Sequence, residues 1–251
     1  MKLFSRRSLT DSVARKQITA LSDFADGLTR PDKCSEFEPI RTQFDPHDIG
    51  KPVQWLAKPH GEFLYRKGRP THLSGQMWNL THPPDARFPS PLFTNYWTGQ
   101  FDGDWAKRIG IEKVEKFVLE MFRVAGADFG FLTSESDQNA KNQPAQHFSY
   151  KGLDPATGVP GLYWITLFSS GYATWLGLKG FPKELGTLKE LADGGVLLKF
   201  CESADQCRSF EVLQRQRVAI DWLGSEKFFD IRFPGRNVNT PDWENIPIPA
   251  A

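Results

Sequence analysis

The sequence has only three cysteines, Cys34, Cys201 and Cys207, an odd number at wide spacing. That count excludes a disulfide framework and suits a reducing compartment. It has no run of about 18 apolar residues, so a membrane-spanning helix and a membrane partner are not expected. Lys2, Arg6 and Arg7 resemble the basic start of a secretion signal, but Ser8-Leu9-Thr10-Asp11-Ser12 is polar where the apolar stretch belongs, so a cytoplasmic protein is expected. Excess charge of either sign is missing too. With 31 basic and 30 acidic residues the net charge is +1, which gives no electrostatic ground for direct nucleic-acid binding.

The residue patterns of common active sites are also missing. His47, His60, His72, His82 and His147 form no HxH or HExxH pair, and Cys201 and Cys207 have no second pair to complete a metal site. Phosphate-cradling glycine patterns do not occur. Ser169-Ser170-Gly171 follows an apolar strand, where a nucleophile elbow would lie, but the flanking G-x-S-x-G is absent and a helix-capping serine explains the turn. Cys201 at a strand end reads as a small buried hydrophobe. A hydrolase built on Ser170 or Cys201 stays open as a rival. The expectation is a protein with no catalytic activity, metal or cofactor.

The sequence is rich in aromatic residues, with 20 Phe, eight Trp and five Tyr in 251 residues, enough to fill a core and supply interface anchors. Residues 11–28 carry Ala14, Ile18, Leu21, Ala25 and Leu28 at helical spacing. Ten prolines interrupt residues 31–104, which therefore read as irregular, with short strands at Glu62–Arg66 and Gly75–Leu80. Ile111, Val114, Phe117, Val118, Met121, Phe122 and Ala125 form a helical stripe closed by Gly126, and a strand follows at Asp128–Thr133. The polar stretch 134–160 reads as a long loop, with or without a short hairpin.

Beyond it, Leu162–Phe168 is apolar enough for a strand buried on both faces, Tyr172, Trp175 and Leu176 suggest a short helix, and Gly195–Phe200 a second apolar strand. Ser203-Ala204-Asp205-Gln206 has the form of a capping box. The helix it opens would carry Cys207, Phe210, Leu213, Ile220 and Leu223 inward, before a last strand at Phe228–Ile231. The fold class is α+β: a single domain of residues 1–251 with a mixed or antiparallel sheet and helices on one face. Residues 105–231 form its best-patterned part and 232–251 an irregular tail.

Two segments have the composition of a binding surface. Residues 93–105 combine Phe93, Tyr96, Trp97, Phe101 and Trp105 with Asp102 and Asp104, and Gly99 and Gly103 lend flexibility. Trp97, Asp102, Asp104 and Trp105 are the candidate partner contacts there, against the alternative that the rings fold back into the core. Glu135 and Asp137, in Ser134-Glu135-Ser136-Asp137 after a strand, are further candidates, against an ordinary solvated turn. Arg217 interrupts the apolar stripe of the last helix, where its stem would pack while its head reaches solvent.

Four stretches carry a family likeness. They are Ala125-Gly126-Ala127-Asp128 running into Phe129-Gly130-Phe131-Leu132-Thr133; Val159-Pro160-Gly161-Leu162-Tyr163-Trp164-Ile165-Thr166-Leu167-Phe168 with Gly171-Tyr172; Leu191-Ala192-Asp193-Gly194-Gly195-Val196-Leu197-Leu198; and Trp222-Leu223-Gly224-Ser225-Glu226-Lys227-Phe228-Phe229. In these the chain resembles bacterial polymorphic-toxin immunity proteins, in particular the subfamily encoded beside restriction-endonuclease-like toxins, some delivered by type VI secretion. The likeness covers most of the chain and is strongest over the second half. It departs at Ser169-Ser170, where Gly-Pro-Pro-like residues are expected. The resemblance implies a non-enzymatic α+β protein whose partner is a cognate toxin, a nuclease, made by the same cell. An adaptor that loads a toxin for secretion, or immunity to a periplasmic toxin, are the other readings.

Overall fold

The prolines that break up residues 31–104 fall between strands or in the first turn of a helix, and none lies inside a strand. The computed structural model describes residues 1–87, 89–102, 104–142, 154–233 and 236–250. It divides into two compact units, residues 1–127 joined by Ile248 onward, and residues 128–247. Both are α+β, and every strand pair described within them is antiparallel.

The first unit contains β1 (Lys2–Ser5), β2 (Lys33–Ser35), β3 (Thr42–Gln43), β4 (Glu62–Lys67), β5 (Leu73–Asn79) and β6 (Asn95–Phe101), in the order β3-β2-β4-β5-β6-β1. The expected strands around 62–66 and 75–80 are β4 and β5. The expectation that the rest of 31–104 is irregular is corrected: it also supplies β2, β3, β6 and the helix α2 (Gly50–Ala57). Pro52 sits in the first turn of α2, where its missing N–H is harmless, and the other prolines mark connections.

Three more helices complete the unit. In α1 (Asp11–Gly27), Thr10 caps the N-terminus by accepting from the Val13 N–H, and Ala14, Ile18 and Leu21 face inward. Its regular turns end at Phe24, because Ala25 and Asp26 take positive φ of 46° and 59°, so Ala25 leaves the expected stripe and is exposed. α3 (Trp105–Ile109) leads into α4 (Ile111–Ala125), which buries Val114, Phe117, Val118, Met121 and Phe122 and packs on α1. Each such ring or branched chain contributes about 1.5–3 kcal/mol by burial. Gly126 ends α4 as anticipated: its left-handed φ of +55° lets its N–H and that of Ala127 reach the carbonyls of Arg123 and Phe122.

The second unit contains β7 (Phe129–Leu132), α5 (Glu135–Asn142), β8 (Ile165–Phe168), α6 (Ser170–Leu176), β9 (Thr187–Glu190), β10 (Val196–Lys199) and α7 (Phe210–Leu223), with strands in the order β7-β8-β10-β9. Every residue of β7 and β8 is buried, as their apolar runs suggest. Phe129, Phe131, Tyr163, Phe168 and Tyr172 interlock, Phe131 stacking on Tyr163 at 3.9 Å. The four stretches of family likeness supply β7, β8, β10 and the end of α7, so most of them belong to the frame of this unit.

Three expectations are corrected here. Residues 135–142 form α5 where a loop was expected; residues 143–153 of that supposed loop, with His147, lie outside the described residues. Phe228–Ile231 is no strand, only a bridge from Phe228 to Val159. The capping box does not open α7. Gln206 turns back to accept from the Glu202 N–H at 3.0 Å, and Ser209 caps the helix by accepting from Val212. The charged edge strand β9 was not anticipated, because Thr187-Leu188-Lys189-Glu190 has little apolar alternation.

Candidate functional site

The sequence placed Trp97, Asp102, Asp104 and Trp105 on one exposed aromatic-acidic loop. In the structure Trp97 lies in β6, where Asn95, Trp97 and Gly99 alternate inward, and the ring is only 2% exposed. Its indole N–H donates to the Tyr65 hydroxyl at 2.7 Å. Gly75 allows this: a Cβ there would fall 2.3 Å from that hydroxyl oxygen. Trp105 opens α3 and is equally buried, stacked on Phe101 at 3.7 Å and edge-on to Phe117. Both tryptophans are core rings, because strand periodicity and the stack on Phe101 turn them inward.

Asp102 and Asp104 lie at the surface between β6 and α3, and the Gly103 between them is outside the described residues. The Arg108 guanidinium donates to Asp102, holding its carboxyl below the usual range, and also donates to the Pro70 carbonyl. Lys107 stands 3.6 Å from Asp104. The turn therefore pairs two acids with two bases and is not acidic overall.

Glu135 and Asp137 are likewise separated by their positions. Both fall in the first turn of α5, where carboxylates suit the helix dipole, but only Glu135 is exposed. Asp137 points inward, its side chain 1% exposed. One carboxylate oxygen accepts from the Lys141 ammonium at 2.8 Å and from the Thr133 hydroxyl at 2.7 Å, while the other makes no hydrogen bond. Lys141 also donates to the Leu162 carbonyl at 2.7 Å and to the Gln216 side-chain oxygen at 3.0 Å, and lies 5.0 Å from the centre of the Tyr163 ring. Burial pulls the Lys141 ammonium below the usual lysine range, against the attraction of Asp137.

Cys207 joins this cluster from below. Its sulfur is 3.6 Å from the Thr133 hydroxyl and 3.9 Å from the sulfur of Cys201. Thr133 has one proton, so it serves Asp137 or Cys207 but not both. Hydrogen bonding from the Cys201 thiol, helped by Thr133 and the Ser134 backbone, lowers the Cys207 pKa from 9.0 to about 7 against the effect of burial. Cys201 is pushed up by the same contact and by burial. Sequence reasoning missed Lys141, Thr133 and Gln216. The available signal was the i, i+4 spacing of Asp137 and Lys141, which marks one helix face.

The helix α7 presents a different surface. Val212, Gln216, Ala219 and Leu223 face inward, not the expected stripe through Phe210, Leu213, Ile220 and Leu223. The helix is rotated relative to that expectation, so Arg217 lies on the outer face and no longer interrupts anything. Phe210 is 76% exposed; Val218 and Trp222, an i, i+4 pair further along the helix, are 45% and 44% exposed, with Trp222 edge-on to Phe181. Exposed Phe and Trp side chains on the same helix as an exposed Arg, set among Glu211, Gln214 and Asp221, are of the residue types enriched in protein-binding surfaces.

The candidate nucleophiles are less well served. Ser170 begins α6 on the surface, after the N-cap Ser169. The four described histidines lie in residues 1–127, whereas Ser170 and Cys201 lie in 128–247. Among the described residues no group of three or more His, Cys, Asp or Glu is placed to hold a metal ion, and no helix is long and apolar enough to cross a membrane.

Among the described residues, fold and surface together describe an α+β protein with exposed aromatic side chains on α7 and a buried ionic cluster around Lys141. A solved structure described as Pseudomonas aeruginosa T6SS protein PA0821 has a similar fold, with a TM-score of 0.55 at 11% sequence identity, covering 90% of this chain and 76% of that one. At that identity the likeness is one of fold. No family model matches the chain, and no curated protein matches it.

Proposed function

We propose that this chain is a cytoplasmic immunity protein that binds a cognate type VI secretion effector one to one and neutralises it without catalysis. The observation that carries this reading is the fold likeness to a type VI secretion protein over nearly the whole chain. It agrees with the immunity-protein resemblance, whose stretches lie mostly in the frame of residues 128–247. The resemblance further implies a nuclease as the effector.

The outer face of α7 is the surface best suited to the contact. Phe210, Val218 and Trp222 supply apolar area, with Arg217 beside them. Glu135, exposed on α5, would act mainly on the rate of encounter with a basic nuclease groove, whereas Asp102 and Asp104, paired with Arg108 and Lys107, would add little to it.

The test is co-expression with the effector encoded beside this gene, followed by titration of the purified pair. The expected result is rescue of growth and inhibition that saturates at one equivalent. Inhibition at strongly sub-stoichiometric ratios would require an enzyme and overturn the reading. Tight binding without inhibition would point to an adaptor and overturn it equally.

A further inference from the structure

Cys201 and Cys207 are six residues apart, at the end of β10 and just before α7, and their sulfurs are 3.9 Å apart. A disulfide needs about 2.05 Å, so rotation of the two side chains has to close a gap of roughly 2 Å. The segment joining them, residues 202–206, is largely exposed and contains a single 3-10 turn, Ala204–Gln206. Both thiols are buried beneath it. The third cysteine, Cys34, is buried in the other unit.

We propose that Cys201 and Cys207 are an oxidative modification site, a dithiol that hydroperoxides convert reversibly to a disulfide. The proposal stands apart from toxin binding and does not depend on it. The two sulfurs differ in the way such a reaction needs. Cys207 is the better thiolate, its sulfur 3.9 Å from the Cys201 sulfur and 3.6 Å from the Thr133 hydroxyl, while the single Cys201 proton goes either to Ser203 O at 3.3 Å or to Cys207.

In the reaction the Cys207 thiolate attacks a peroxide oxygen, the O–O bond breaks, and a sulfenic acid forms with release of hydroxide. That hydroxide takes the Cys201 thiol proton and leaves as water. The Cys201 thiolate then attacks the Cys207 sulfur, the S–S bond forms, the S–O bond breaks, and a second hydroxide is protonated by solvent. Overall two thiols and one peroxide give one disulfide and two waters, the sulfurs being oxidised and the peroxide reduced.

The experiment treats the reduced full-length protein with hydrogen peroxide under native conditions, then alkylates it in denaturant and maps the peptides by mass. The expected product is a Cys201–Cys207 crosslink lighter by two hydrogens, with Cys34 alkylated, and it reverts with dithiothreitol. C201S and C207S should each abolish the crosslink, and C34S should leave it unchanged. The wild-type map stands alone if either serine variant fails to fold by circular dichroism. The proposal is overturned if oxidation yields sulfinic or sulfonic acid without the crosslink, if Cys34 oxidises while the pair stays reduced, or if the crosslink joins two molecules.

Discussion

In residues 1–127 the aromatic core closes around a neutral hydrogen bond, from the Trp97 indole to the Tyr65 hydroxyl. In residues 128–247 the corresponding depth holds an ion pair, Asp137 with Lys141, beside two thiols. Burial pushes the Tyr65 phenol up, so no group in the first cluster exchanges a proton near neutrality. The second cluster contains one acid pulled down and one base pulled down, and both respond to pH. The Trp97–Tyr65 cluster is thus indifferent to pH near neutrality, while the second cluster is tied to protonation and to redox state.

The largest effect should come from the neutral cluster. Trp97→Ala removes a buried ring and leaves the Tyr65 hydroxyl without its donor, costing about 4 kcal/mol in urea unfolding, equally at pH 6 and pH 9. A pH-dependent cost would break the comparison. Next is Lys141→Met, which strands the Asp137 carboxylate in the interior and should cost about 3 kcal/mol in urea unfolding at neutral pH. A loss under about 1 kcal/mol would mean that Lys141 acts only through packing.

The double variant Phe210→Ala, Trp222→Ala should weaken effector affinity by about 30-fold, near 2 kcal/mol, while stability falls by no more than about 1 kcal/mol. Calorimetric titration beside thermal unfolding separates the two. If affinity is unchanged with the fold intact, the outer face of α7 is not the interface.

Cys207→Ser tests the protonation of the second cluster. A thiol whose pKa is about 7 folded and 9.0 unfolded adds stability that is present above pH 9 and lost as pH falls through 7. Wild type should therefore gain about 2 kcal/mol over the serine variant between those limits. Lys141, also lowered on folding, contributes a slope of the same sign toward 10.5; the Cys207 charge pulls it back up, so the serine variant shows more of that slope and the comparison is read below pH 9. A flat difference would show that the thiol stays protonated.

The smallest effect belongs to Asp102→Ala with Asp104→Ala. Their partners Arg108 and Lys107 are largely in solvent, so stability should change by under about 0.5 kcal/mol. Any effect on the effector should appear in the association rate and its salt dependence, read by stopped flow.

The elements legible in the sequence were those whose burial pattern repeats locally. The stripe of α4 with its Gly126 cap, the apolar runs of β7, β8 and β10, and the α+β class all follow from periodicity and from backbone rules confined to a few neighbours. Of the strands β2 to β6, β4 and β5 were legible, while β2, β3 and β6 were read as irregular because they lie among conspicuous prolines and, for β2 and β3, are short. Those prolines mark turns, and the pairing that makes strands of the rest comes from distant residues. On α7 two stripes were possible, and only the choice of neighbours decided that Gln216 turns inward and Phe210 outward.

Composition alone therefore determined that Trp97, Trp105 and Asp137 are the kinds of residue that anchor interfaces, and it could go no further. A tryptophan contributes as well to a core as to a contact, and a carboxylate four residues before a lysine suits a solvated turn or a buried pair. Tertiary structure decided each case through contacts far apart in sequence: Tyr65 beside Trp97, Phe117 beside Trp105, and Leu162 and Gln216 beside Lys141. Which way a side chain points depends on what is brought against it, because the free energy of burial belongs to the pair and not to the residue.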